Sequence, residues 1–299
     1  MTTQIDELMT FLSGSITPFH AVEVMAKTLQ RAGFEQLDQF DAVRMTPGKG
    51  YFVVHQGSSL MAVRAGHSGV EAGLRLVGAH TDSPNLSVKP NPVKGRDGCI
   101  QLGVDVYGGA LLNPWFDRDL GMAGRLSMLT PDNALRTTLF DTGRAVAVIP
   151  SLAIHLDREA NSQRSINPQK DVVPLVMLGE HQQYDLKTWL AQELALADSQ
   201  WQGARVMDYE LSLYDTQPPN QIGIDGDFIA SARLDNLLSC FAGMRALIDA
   251  DDAEWSLFVA TDHEEVGSAS TVGAQGPMLM DALAALAPDP KLNRMMRAQ

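Results

Sequence analysis

Cysteine is scarce: the 299 residues contain two, Cys99 and Cys240, and these form no Cys-x-x-Cys pair. That excludes a disulfide framework and an all-cysteine zinc cage. Basic residues are also few beside acidic ones, 23 Lys and Arg against 36 Asp and Glu, for a net charge of −13. Such a field repels phosphate backbones and no basic cluster offsets it, so nucleic acid is not an expected partner. No apolar run approaches the roughly eighteen residues of a membrane span, so no membrane partner is expected either. The opening stretch Met1-Thr2-Thr3-Gln4-Ile5-Asp6-Glu7 is polar and acidic, where a signal peptide is basic and then apolar. A cytoplasmic protein is the expectation. Missing too are a GxSxG nucleophile elbow, a GxxxxGK phosphate loop, a GxGxxG turn after a strand and an HExxH helix. What remains is an ordinary globular composition, 45% apolar and 20% charged. The chain is long enough for about two domains.

The spacing of Ile5, Leu8, Met9 and Leu12 predicts a first helix, with a break at Ser13-Gly14-Ser15. Thr17-Pro18 supplies an N-cap and an N1 proline for a second, which runs to about Ala32 and stops at Gly33. Phe52-Val53-Val54 and Leu60-Met61-Ala62-Val63, parted by Gly57-Ser58-Ser59, predict a hairpin. Leu74 to Ala79 reads as a strand that ends in His80-Thr81-Asp82-Ser83-Pro84. From about Asn91 to Thr216 the texture turns β-rich, with Gly and Pro breaks, a β-like run Ala145–Ile149 and one helix near Tyr184 to Leu196. Pro218-Pro219, Gly223 and Gly226 mark the exit. An apolar helix then starts at Asp235-Asn236, and Trp255–Thr261 is a strand. The expected architecture is one α/β domain, residues 1–90 with 220–299, interrupted by a β-rich insert at 91–219.

Three constellations could carry chemistry. In His80-Thr81-Asp82, residues two apart on an extended segment point the same way, so an imidazole and a carboxylate meet just past a strand end. The plain alternative is a polar turn. Asp262-His263-Glu264-Glu265-Val266-Gly267 also follows an apolar strand directly. One glutamate could bind metal while its neighbour handles a proton, and the alternative is a solvated acidic turn. In Ser231-Ala232-Arg233-Leu234-Asp235-Asn236, Asp235 could bridge two metal ions, although at a helix start the spacing alone favours an N-cap. Together they offer one imidazole and several carboxylates, donors that suit zinc, manganese or cobalt.

These three segments closely resemble motifs of the M18 family, the aspartyl aminopeptidases. Thr17-Pro18-Phe19-His20, Asn113-Pro114-Trp115-Phe116-Asp117-Arg118-Asp119-Leu120 and Leu152-Ala153-Ile154-His155-Leu156 add to the likeness. It runs from the first helix to about Pro277, in the family's order.

The resemblance implies a zinc-aminopeptidase-like α/β domain interrupted by a β-rich dimerisation domain, and homo-oligomers that are dodecamers built from dimers. It implies a metallo-aminopeptidase that removes N-terminal Asp or Glu from peptides with two zinc ions per subunit. His80 and Glu265 would be metal ligands, Asp82 the carboxylate orienting His80, Asp235 the bridge and Glu264 the general base. His155 would reach a neighbouring subunit's active site. Family members continue further, with an Asp ligand in an Asp-x-Ala-His segment and a last His ligand, and neither follows here before Gln299. The expectation is that the 299-residue chain by itself is inactive and poorly soluble. Two other readings stand beside the enzyme: a non-catalytic relative that only assembles or binds peptides, and a metal-dependent amidohydrolase with a non-peptide substrate.

Overall fold

The structure is a computed structural model, and it describes residues 3–38, 45–179 and 184–287. The chain divides into two compact units, the described residues of Met1–Ser83 with Pro219–Gln299, and Pro84–Pro218.

The first unit opens with α1 (Gln4–Gly14) and α2 (Pro18–Arg31). Thr3 and Asp6 close a capping box on α1, each side chain bonded to the other's backbone N–H. Thr17 stands at the N-cap of α2 as expected, but its hydroxyl makes no cap bond. It lies 2.8 Å from His20 Nδ1 instead. Then come β1 (Glu35–Leu37), β2 (Gly50–His55), β3 (Ser59–Arg64) and β4 (Leu74–His80). The β2–β3 turn passes through Gln56 and Gly57, both with positive φ, which matches the twist of a tight hairpin.

The second unit holds β5 (Asn85–Arg96), β6 (Cys99–Tyr107), β7 (Leu120–Leu129), β8 (Leu135–Asp141), β9 (Leu175–Leu178), α3 (Leu186–Ala197) and β10 (Arg205–Asp215). Its strands form an antiparallel sheet in the order β8-β7-β10-β5-β6-β9. Leu190 and Leu194 of α3 share a core with Leu102, Met122 and Leu213. The β-like run Ala145–Ile149 forms no strand. Ala147, Val148 and Ile149 bridge to Leu120, Leu175 and Phe116 in turn, so no one neighbour supplies a continuous ladder.

Back in the first unit, β11 (Asn220–Ile222) and β12 (Phe228–Ala230) make a small hairpin. Next are α4 (Leu234–Asp249), β13 (Trp255–Thr261) and α5 (Met278–Leu286). The five-stranded sheet has the order β1-β2-β3-β13-β4. Its central strands are apolar on both faces, as strands covered on both sides must be. Leu60, Ala62, Phe258 and Ala260 face a core with α1, α2 and α4. Met61, Val63, Leu257 and Val259 alternate with them and pack with Met278 and Leu283 of α5. Gly243 lets α4 approach closely, since a Cβ there would stand 2.7 Å from the Phe258 ring.

The decisive pairing is β13 with β4. They run parallel, from Trp255 opposite Leu74 to Thr261 opposite His80. Parallel strands in register end together, so the segments after His80 and after Thr261 leave the sheet side by side. The carboxyl ends of such strands are where open α/β sheets hold their ligands.

Candidate metal centre

His80 closes β4 with its ring largely buried. Nδ1 lies 3.0 Å from the carbonyl of Asp82 and 3.2 Å from its Oδ1. Both are acceptors, so Nδ1 carries a proton and Nε2 is the ring nitrogen left to face a metal. Nε2 points to Asp235 Oδ1 at 3.4 Å and Glu264 Oε2 at 3.7 Å. The backbone of His80 is held too: its N–H donates to Asn236 Oδ1 at 3.3 Å, and its carbonyl accepts from Cys240 Sγ at 3.1 Å.

Asp82 is 0% exposed, and its carboxylate does more than orient the imidazole. Oδ1 accepts the N–H of Glu264 at 3.2 Å and Oδ2 accepts that of Glu265 at 3.0 Å. One buried carboxylate thus joins the end of β4 to the turn after β13. A buried charge needs such partners, because an unpaired one carries a large desolvation cost.

Asp235 is not a helix cap. Its ψ of 110° and the non-helical Asn236 delay the regular part of α4 to Leu237. Its side chain is 82% exposed and turned toward His80, while Ser83 Oγ donates to its carbonyl at 2.8 Å. Glu264 is half exposed and so open to a reactant. His155 lies in the second unit, in an exposed turn between β8 and β9.

Burial opposes a charge on His80, but the carboxylates of Asp82 and Glu264 outweigh it and raise its pKa. Burial pushes the Asp262 carboxyl up, against the pull of the Ser58 hydroxyl and the His263 ring. A cavity of about 300 Å³ adjoins His80 and Glu264, walled by Leu76, Val259, Met278 and Leu279, and among the described residues no Lys or Arg lines it.

The donors fit zinc in kind: an imidazole nitrogen with a free lone pair and a carboxylate oxygen beside it. Among the described residues no group of three His, Cys, Asp or Glu is gathered closely enough to hold a metal ion. The described residues therefore offer part of a ligand set.

Pattern reading missed Asn236 and Cys240 as supports of His80. Asn236 sits beside a singled-out residue, whereas nothing in the local sequence marks Cys240.

The fold and site define an α/β protein with a histidine–carboxylate centre at the carboxyl ends of adjoining parallel strands. The M18 peptidase profile, described as aminopeptidase I zinc metalloprotease, matches residues 11–297. The chain belongs to that family. It is 49% identical over 284 residues to the probable M18 family aminopeptidase 2 of Pseudomonas entomophila, covering 94% of this chain and 66% of that relative. The counterpart in Ectopseudomonas mendocina is likewise 49% identical, over 287 residues, with 95% and 66% covered. The chain therefore spans about two thirds of the length of these relatives. Among solved structures, a chain of an Ape4 and Nbr1 complex matches with a TM-score of 0.86 and 32% identity, covering 94% of this chain and 58% of that one. The mApe1 of an S. cerevisiae dodecamer matches with a TM-score of 0.76 and 26% identity, over 94% and 65%.

Proposed function

We propose that this chain carries the catalytic residues of a zinc aminopeptidase that removes N-terminal residues from peptides. The observation that carries this reading is Asp82, which ties the imidazole of His80 to the Glu264–Glu265 turn through one buried carboxylate.

In this reading His80 Nε2, Asp235 and Glu265 would hold the two zinc ions, Asp235 as the ligand common to both. Zinc bound there supplies a Lewis acid that polarises the scissile carbonyl and lowers the pKa of a water. Glu264 takes the proton of the attacking water and passes it to the leaving amine, a task its half-exposed carboxylate can reach. Asp82 keeps the Nε2 lone pair of His80 aimed at the centre. His155 stabilises developing charge in a neighbouring subunit's site. Residues 91–219 then act as a dimerisation domain, and the protein at the length of its relatives assembles as a cytoplasmic homo-oligomer, a dodecamer built from dimers.

A preference for N-terminal Asp or Glu belongs to the same proposal and rests on the family likeness. Among the described residues the apolar cavity beside Glu264 offers no cation to an acidic side chain.

The test is hydrolysis of aspartyl, glutamyl and leucyl peptides by zinc-supplied protein as long as the relatives, since the described residues supply only part of a ligand set and the 299 residues alone are expected to be inactive. Acidic substrates are expected to turn over, chelation to stop turnover, and added zinc to restore it. Glu264→Gln should cost about 10²-fold or more in kcat while zinc content persists, because the amide keeps the shape but accepts no proton. Turnover untouched by chelation or by Glu264→Gln would overturn the reading. A zinc-free, inactive protein would favour the non-catalytic relative.

A further inference from the structure

Glu264 and Glu265 ride on a loop that leaves the sheet after Thr261 and closes where the Asp262 N–H donates to the Val272 carbonyl at 3.1 Å. Its backbone is held away from relaxed geometry: His263 and Ser268 both have φ of 61°, left-handed for residues that carry a Cβ. Such a conformation persists only where surroundings over-determine it. Inside the loop, His263 Nδ1 meets Ser270 Oγ at 2.7 Å, and Ser268 N–H donates to the His263 carbonyl at 2.8 Å.

The base of the loop is clasped from elsewhere. Ser59 opens β3, which pairs with β13 up to Leu60 opposite Ala260. Ser59 therefore sits where that ladder ends and the loop begins. Its side chain is 0% exposed, and its hydroxyl spends both of its functions on the loop. Oγ accepts the N–H of Asp262 at 2.9 Å and donates to the carbonyl of Val272 at 2.7 Å. The carbonyl of the adjacent Ser58 accepts the Thr81 hydroxyl at 2.8 Å, between His80 and Asp82. Two adjacent residues, Ser58 and Ser59, thus grip the end of β4 on one side and the loop base on the other.

We infer that Ser59 is a positioning residue: its hydroxyl, bonded to both ends of the 262–272 loop, sets where Glu264 and Glu265 stand relative to His80. This deepens the proposed function and rests on its assignment of those two glutamates.

The test compares Ser59→Ala, which removes the hydroxyl, with Ser59→Thr, which keeps it, in zinc-supplied protein as long as the relatives. In Ser59→Ala two buried hydrogen bonds are lost, so amide exchange across 262–273 should rise about tenfold or more, while α1 and α2 exchange as in wild type. The same variant should lose about tenfold in kcat with KM unchanged, and Ser59→Thr should restore both. Unchanged loop exchange, or exchange rising equally in α1 and α2, would overturn the inference. Faster loop exchange with an unaltered kcat would reduce Ser59 to a structural residue and overturn it as well. If wild type shows no turnover, the proposed function fails, and the exchange measurement still decides whether the clasp exists.

Discussion

Cys240 and Asp82 show how single residues serve the candidate centre without standing at it. The Cys240 thiol is buried and donates to the carbonyl of His80 at 3.1 Å. Burial first, and then the charge of Asp82, push its pKa up to about 12. A thiol so rarely ionised is a poor nucleophile near neutral pH, since the thiolate is the reactive form. Iodoacetamide should therefore spare Cys240 in the native protein, alkylate the less buried Cys99, and reach both in urea, as read by mass spectrometry of the two peptides. Native labelling of Cys240 as fast as Cys99 would contradict this account. Asp82 marks the limit of pattern reading at this scale. Its place beside His80 follows from alternation along an extended segment and is visible in the sequence. Its bonds to the N–H groups of Glu264 and Glu265, 182 and 183 positions away, are not. They depend on the parallel register of β4 and β13, which no local spacing encodes.

Among the elements, α3 shows what sequence does reveal. Its apolar spacing predicts a helix near Tyr184 to Leu196, and the helix spans Leu186–Ala197. Asp185 caps it, accepting the N–H of Thr188 at 3.1 Å and that of Lys187 at 3.3 Å. The Thr188 hydroxyl, with these backbone donors, holds the Asp185 carboxyl below its ordinary pKa, against the weaker effect of burial. A depressed pKa in the folded state adds stability above the unfolded-state value, and that stability is lost as pH falls through the folded one. Asp185→Ala should destabilise α3 at neutral pH by about 1 kcal/mol, the usual cost of a lost cap. Asp185→Asn should keep most of the cap and lose acid sensitivity below about pH 4. Because the carboxyl is mostly exposed, its acid-linked part is the smaller share. Amide exchange of α3 peptides at neutral and acid pH measures both effects, and an Ala variant identical to wild type would refute the cap. The run Ala145–Ile149 and the start of α4 were not legible in the same way. The run finds three different bridge partners, and Asp235 takes an extended ψ that turns its carboxylate toward His80. Propensity gives way in both cases to tertiary placement.

At the scale of the whole chain, the net charge of −13 and the edge of the five-stranded sheet act against each other. Among the described residues β4 is an edge strand, and Leu76 and Val77, on its two faces, are 46% and 45% exposed. Edge strands are usually guarded by charge, because their unpaired N–H and C=O groups otherwise template pairing with another chain. Arg75 guards one end, paired with Glu254 at 2.7 Å and Asp251 at 3.6 Å. The stretch from Leu76 to Ala79 has no charge at all. Like-charged chains repel at low ionic strength, and salt screens that repulsion to within about 10 Å at 0.1 M. The 299-residue chain should therefore associate in an open-ended manner that grows with protein concentration and with salt. That behaviour differs from a closed oligomer, whose mass reaches a plateau. Leu76→Lys places a charge on the edge at a half-exposed position, and should suppress the growth without unfolding the sheet. Sedimentation velocity across a concentration series, at low and high salt, distinguishes the outcomes. A constant sedimentation coefficient in high salt, or equal growth in Leu76→Lys, would show that the β4 edge does not drive association.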